Sequence, residues 1–84
     1  MNRDSAIVIF KVEKTNASYD LELPLNISAN ELVIALNTAF DLGIDVTDIK
    51  NCFLRVENPI ALIKGDKTLA EFGIRNGSII SCSK

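Results

Sequence analysis

Histidine is missing from this chain of 84 residues, and cysteine occurs only twice. Without an imidazole there is no base to activate a serine or cysteine nucleophile. Cys52 and Cys82 are too far apart for a CxxC motif. Two thiolates leave half of a tetrahedral zinc site unfilled, and an iron–sulfur cluster asks for four. The expected role of both cysteines is as small core hydrophobes, the sharper alternative being a redox pair or disulfide. No cofactor or metal is expected. The four glycines include no GxxxxGK[ST] phosphate loop. No run of about 18 apolar residues occurs, so no direct insertion into a membrane is expected. The opening "MNRDSAIVIF" is a poor signal peptide and a good first strand. Nine basic residues lie scattered among eleven acidic ones, for a net charge of −2. Nucleic acid is therefore not an expected partner, because phosphate binding needs clustered Lys and Arg.

What the chain has is apolar residues, 48% of the total. That suffices for a core and is too much for a disordered tail. The length predicts a single domain over residues 1–84, burying about 60–65% of its unfolded surface, with a stability of about 4–12 kcal/mol. The pattern along it is local and legible. "AIVIFKVE" places Val8, Phe10 and Val12 inside and Lys11 and Glu13 in water. After the polar turn "KTNAS", "SYDLELP" alternates with Tyr19, Leu21 and Leu23 inward and Asp20 and Glu22 outward, completing a hairpin. The period then changes to that of a helix. Ser28 and Glu31 form a capping box and Ile27 and Leu32 a hydrophobic staple. Leu32, Ala35, Leu36, Ala39 and Phe40 share one face, and Gly43 is the expected terminator. Ile34 falls on the opposite side, among Asn30, Asn37 and Asp41.

Beyond the helix, Ile44, Val46 and Ile49 are expected to plug the end of the core. "CFLRVE" turns Leu54 and Val56 inward and Phe53, Arg55 and Glu57 outward. "NP" makes a turn, and "IALI" is short enough for an edge strand with Pro59 at its entrance. Leu69 and Phe72 tuck in from a helical turn, Gly73 and Gly77 allow tight bends, and "SIISCS" closes the chain as a strand. Asp45 and Asp48 read as solvated turn and cap residues; acid–base work would require burial or crowding to shift their pKa values. No catalytic constellation is present, and the chain is not expected to be an enzyme.

The order β-β-α-β-β-turn-β predicts an α+β sheet with one face covered by a helix, and it resembles the ubiquitin-like β-grasp fold. "TLAEFGI" is similar to the ubiquitin segment Thr-Leu-Ser-Asp-Tyr-Asn-Ile, which implies that Leu69 and Ile74 close the core before the last strand. A closer similarity is to the YukD/EsaB family, small ubiquitin-like proteins of the type VII (WXG100) secretion systems of Gram-positive bacteria. It is carried by "LRVEN" (Leu54–Asn58) and by Gly73, Ile74, Asn76 and Gly77 in "LAEFGIRNGSII". Ubiquitin-like modifiers and sulfur carriers end in a Gly-Gly tail. This sequence ends "SCSK" and has no Gly-Gly anywhere, which disfavours that alternative. The resemblance implies a cytoplasmic, non-conjugating protein that binds a machinery component and is recruited by it to the inner face of the membrane. A further reading, a domain cut from a larger membrane subunit, is weakly disfavoured by Met1.

In the β-grasp sheet order 2-1-5-3-4, the outward residues Ile7, Ile9, Ile79 and Phe53 are expected to form one contiguous apolar patch. Lys11, Arg55, Glu57, Asp20 and Glu22 rim it. A greasy patch with a polar rim is the form of a protein-binding site. Ile7, Ile9, Phe53, Arg55 and Ile79 are the candidate residues, with Phe53 and Ile79 as anchors. Three uses remain open: scattered surface aliphatics that support strand propensity, a homodimer, and a hetero-partner. Arg55 falls where ubiquitin's docking face has a central apolar residue, which argues against a ubiquitin-type partner.

Overall fold

Alternation decides the first strand, β1 (Ser5–Val12), whose residues Ala6, Val8, Phe10 and Val12 are buried while Ile7 and Lys11 are exposed. The computed structural model describes residues 4–82; the calls on residues 1–3 and on the "SK" end at 83–84 lie outside it. β1 pairs antiparallel with β2 (Ala17–Pro24). Helix α1 spans Ala29–Phe40, a 3-10 helix spans Val46–Asn51, and three strands follow: β3 (Leu54–Glu57), β4 (Ala61–Ile63) and β5 (Ile79–Cys82). The sheet runs β2-β1-β5-β3-β4, with β1 and β5 parallel at its centre. This is the mixed five-stranded β-grasp sheet that the sequence implied. Between sheet and helix, Phe10, Leu32, Leu54, Ile63, Leu69 and Ile80 are sealed from solvent, each contributing about 1.5–3 kcal/mol by the area it removes from water.

Two reciprocal caps stand side by side where the helix begins. Ser28 Oγ accepts from the Glu31 backbone N–H at 3.1 Å, and Glu31 Oε1 accepts from the Ser28 N–H at 3.0 Å. Thr68 and Glu71 repeat the arrangement, with the Thr68 N–H donating to Glu71 Oε1 at 2.9 Å and the Glu71 N–H to Thr68 Oγ1 at 3.2 Å. Ser28 and Thr68 are themselves bridged, and the Ala29 and Leu69 N–H groups donate across to Lys67 and Ile27 carbonyls. Asn30 adds a clasp, donating its N–H to the Gly65 carbonyl and accepting from the Gly65 N–H. The start of the helix is thus tied to the 65–69 loop.

Three expectations are corrected here. Ala35 and Ala39 are exposed, and Ala29 and Val33 are fully buried instead. The apolar stripe is rotated toward the loop that holds the first turn, away from β2. Tyr19 is on the helix side, as alternation placed it, but not buried: it remains 40% exposed, its ring tilted 45° against Phe40 with centroids 4.7 Å apart, because β2 is an edge strand that the helix covers only in part. The helix also stops before Gly43. Asp41 takes the left-handed conformation (φ 52°) and its N–H bonds the Asn37 carbonyl, a conformation that short polar side chains tolerate. Gly43 then supplies a second positive φ of 76°, and the Asn37 side chain, half-buried rather than outward, closes the loop through two hydrogen bonds to the Ile44 backbone.

The "IRNGS" corner carries the chain into β5. Asn76 Oδ1 accepts from the Ile7 N–H at 2.8 Å, and the Gly77 N–H donates to the Ile7 carbonyl at 2.9 Å. Gly77 does so at φ 89°, where a side chain would be strained. Ser78 is the buried polar residue of the core. Its hydroxyl donates to the Asn58 carbonyl at 2.7 Å and accepts from the Arg75 N–H at 3.0 Å. Cys52 and Cys82 are buried and not joined in a disulfide, and Ile44, Val46, Ile49 and Phe72 pack partly buried against the core.

Two predictions follow from these contacts. Ser78→Ala leaves the Asn58 carbonyl and Arg75 N–H without their buried partner, and chemical denaturation should show a loss of about 1–3 kcal/mol. Glu71 is held below its ordinary carboxyl value of 4.5 by the Thr68 backbone N–H, then by the Thr68 hydroxyl and by Lys67 nearby. A lowered folded-state value means that the stabilisation is complete above the unfolded value and fades as pH falls through the folded one. Melting curves of wild type and Glu71→Gln should therefore differ most above pH 4.5 and converge in more acidic buffer.

Candidate protein-interaction site

The face of the sheet turned away from α1 is read directly from the strand register. One row across it runs Asp20, Ile9, Ile79, Glu57, and the next runs Ser18, Lys11, Ser81, Arg55, Leu62. Ile7 stands above the first row, opposite Glu22. The pleat places Val8, Phe10, Val56, Ile80 and Cys82 on the other, buried side. Ile7 is 57% exposed, Ile9 and Ile79 are half-buried between their neighbours, and Arg55 is exposed.

Ile7, Ile9 and Ile79 form a continuous apolar group, and Phe53 does not belong to it. Because Arg55 is opposite Ser81 and Glu57 opposite Ile79, Phe53 lies four residues along from the level of Ile79, about 13 Å at strand spacing. The polar row of Lys11, Ser81 and Arg55 comes between them. Phe53 is 45% exposed at the far end of the sheet. There it lines a small pocket of about 160 Å³ with Asp45, Asp48 and Cys82. The expected single patch is thus two patches, because register, not pleating, governs distance along a sheet.

Two apolar residues on this side escaped the sequence reading. Leu62 is 51% exposed on β4, directly across from Arg55, and Ile60 just before it is 92% exposed. The alternation of "IALI" around a buried Ile63 could have placed Leu62 outward. Nothing local marked Ile60, which follows the positive-φ Asn58 and its cis bond to Pro59. Ile34 is 45% exposed on the helix, as its position among polar residues suggested.

The acidic pair after the helix serves the 3-10 turn. Asp45 caps the 3-10 helix through the Thr47 N–H at 3.1 Å, and Asp48 accepts from the Asn51 side chain at 2.8 Å. Among the described residues no three of His, Cys, Asp and Glu stand close enough to hold a metal ion. No helix among them is long and apolar enough to cross a membrane. The arrangement offers surface for recognition: flat, apolar at Ile7, Ile9 and Ile79, and flanked by charges of both signs.

Comparison with known proteins agrees with the fold and narrows the kinship. Residues 7–81 match the family described as YukD, WXG100 protein secretion system (Wss), protein YukD. No curated protein matches the chain. Among solved structures, the ubiquitin-like domain of the Mycobacterium tuberculosis type VII secretion system protein ECCD1 is similar, with TM-score 0.56, 18% identity and coverage of 95% of this chain and 98% of that one. A ubiquitin-like domain from tubulin-binding cofactor B gives TM-score 0.70 at 18% identity, covering 93% and 87%. A chain of phenol hydroxylase from Pseudomonas sp. OX1 gives 0.70 at 18%, covering 96% and 74%. At such identities these structures show a shared fold, which proteins of unrelated activities use.

The division of the sheet into a dry and a wet face is open to test with two neighbours on β4. Leu62→Ser should change unfolding free energy by less than about 1 kcal/mol. Ile63→Ala, at a residue with no exposed surface, should cost about 2–5 kcal/mol.

Proposed function

This chain belongs to the YukD family of WXG100 secretion-system proteins, and from that premise we propose that it is a non-catalytic, ubiquitin-like accessory protein that binds a component of the secretion machinery or regulates its assembly. The observation that carries the reading is the outward group of Ile7, Ile9 and Ile79 at the centre of the sheet. These side chains contribute little to the core, yet they form a connected apolar surface with Lys11, Arg55, Glu57, Asp20 and Glu22 around it. Such a surface gains by burial against another protein, and its charged rim sets the orientation of the partner.

In this reading the chain acts as a single domain in the cytoplasm, brought to the inner face of the membrane by what it binds. Ile79 and Ile7 are the anchors. Arg55 and Leu62 extend the contact toward β4, and Phe53 makes a separate contact at the end of the sheet. The similar fold of a ubiquitin-like domain in a type VII secretion protein supports recognition through such a domain in this machinery. The absence of histidine supports the non-catalytic assignment.

The test uses purified soluble portions of the secretion-machinery components, titrated with this protein in calorimetry. Ile7→Asp and Ile79→Ser, each checked for wild-type secondary structure, should weaken binding at least about tenfold if these are central contacts. A folded pair of variants that binds as the wild type does would remove the isoleucine group from the account.

A further inference from the structure

The sheet has a second surface suited to recognition, and it lies at the edge of β2. In the order β2-β1-β5-β3-β4, β2 has a neighbour on one side only. Which of its amides are free follows from β1. The Ile9 N–H donates to the Ser78 carbonyl and the Ile7 carbonyl accepts from Gly77, so Ile7, Ile9 and Lys11 direct their backbone groups at β5. By alternation, Ala6, Val8, Phe10 and Val12 direct theirs at β2, where they face Leu23, Leu21, Tyr19 and Ala17. Ser18, Asp20 and Glu22 therefore turn their N–H and C=O groups away from the sheet. Pro24, with no N–H, ends this edge.

Beside the edge, on the helix side, runs a groove of about 520 Å³. Leu21, Leu23, Leu36 and Phe40 line it along its length, and Ala35 and Ala39 form its helix wall. The two alanines are exposed because the helix is rotated toward the 65–69 loop. Their short side chains leave the groove open where longer ones would fill it. Of the two charged residues that border it, both acidic and exposed, Glu31 stands on the helix, while the Glu22 carboxylate lies on the opposite face of the sheet, where it accepts from Ser5 Oγ at 2.8 Å.

We propose that this edge and groove receive an extended segment of another polypeptide, which adds a strand to β2. Main-chain hydrogen bonds to Ser18, Asp20 and Glu22 hold such a segment, and every second side chain enters the groove beside Leu21 and Leu23. The groove asks for aliphatic residues at those positions. The alternate side chains come out on the opposite face next to Asp20 and Glu22, where Lys or Arg is complementary. A second copy of this chain does not meet that requirement. Pairing β2 with itself through its free groups sets Asp20 and Glu22 against one another or against Ser18, and like charges directly opposite are destabilising. The site is separate from the isoleucine face and stands whether or not that face binds secretion machinery.

The probe is the synthetic peptide acetyl-Lys-Val-Lys-Ile-Lys-Val-amide, titrated into the isotopically labelled protein and followed by amide chemical shifts. Saturable shifts are expected at Ser18, Asp20 and Glu22 and along the helix wall at Ala35 and Ala39. Ala39→Arg, an exposed position where the fold is retained, should weaken binding about tenfold or more by filling the groove, while Ala39→Ser binds as wild type does. Replacing the three lysines of the peptide by glutamate should abolish the shifts; so should N-methylating one set of alternate backbone amides, the set that faces β2, while N-methylating the other set leaves them. No saturable shift at β2, equal binding by Ala39→Arg, or equal binding of both N-methylated peptides would overturn the proposal. So would peptide shifts confined to Ile7, Ile9 and Ile79, or concentration-dependent pairing of β2 without peptide.

Discussion

The parallel pairing of β1 with β5 is the constraint on which the rest of this structure depends. It joins Ile7 to Asn76 across 69 residues of sequence through a side-chain amide, and it continues through Gly77, Ser78 and Cys82 to Ile7, Ile9 and Glu13. Once this register is set, Ile80 is under the helix and Ile79 is on the other side. Ser78 is buried where it can bind the Asn58 carbonyl, so the same corner also holds the β3–β4 turn. Of the residues that carry the family likeness, Asn76 and Gly77 make this junction and Gly73 and Ile74 lead into it. Their chemistry is that of a hinge pin, and the surfaces proposed for recognition lie elsewhere.

How much of this was legible depends on how local each decision is. The Ser28–Glu31 cap is settled within four residues, and the sequence shows it plainly. Thr68 and Glu71 have the same spacing, yet the turn they cap is too short to show a helical period, so the second box passes unnoticed. The helical stripe was found with its phase wrong. Ala35 and Ala39 are as compatible with a core face as Ala29 and Val33, and a loop more than thirty positions downstream (residues 65–69) chooses between them. Alternation put Phe53 on the correct side of the sheet and could not say how far it stands from Ile79. That distance belongs to the pairing of β3 with β5, which no single strand encodes.

The same contrast separates the two surfaces proposed for recognition. On the open face, Ile7, Ile9 and Ile79 present side chains on a flat support, and the backbone there is already consumed by the sheet. At the β2 edge the backbone itself is on offer, with an apolar groove beside it and acids around it. A rotation of α1 that buries Val33 also uncovers Ala35, so packing at one flank of the helix creates room at the other. Stability and accessibility are here two results of one docking angle.

The central position of β5 has a consequence for how the chain is made. The strand that completes the middle of the sheet, Ile79–Cys82, is synthesised after all the others. Until it has left the ribosomal exit tunnel, β1 lacks one neighbour and β3 has only β4. Contacts that span most of the sequence also carry the largest loop-closure entropy and form slowly. A nascent chain of this protein therefore stays without its central ladder until Ile79–Cys82 have emerged, and the strands made earlier wait for that one to join them.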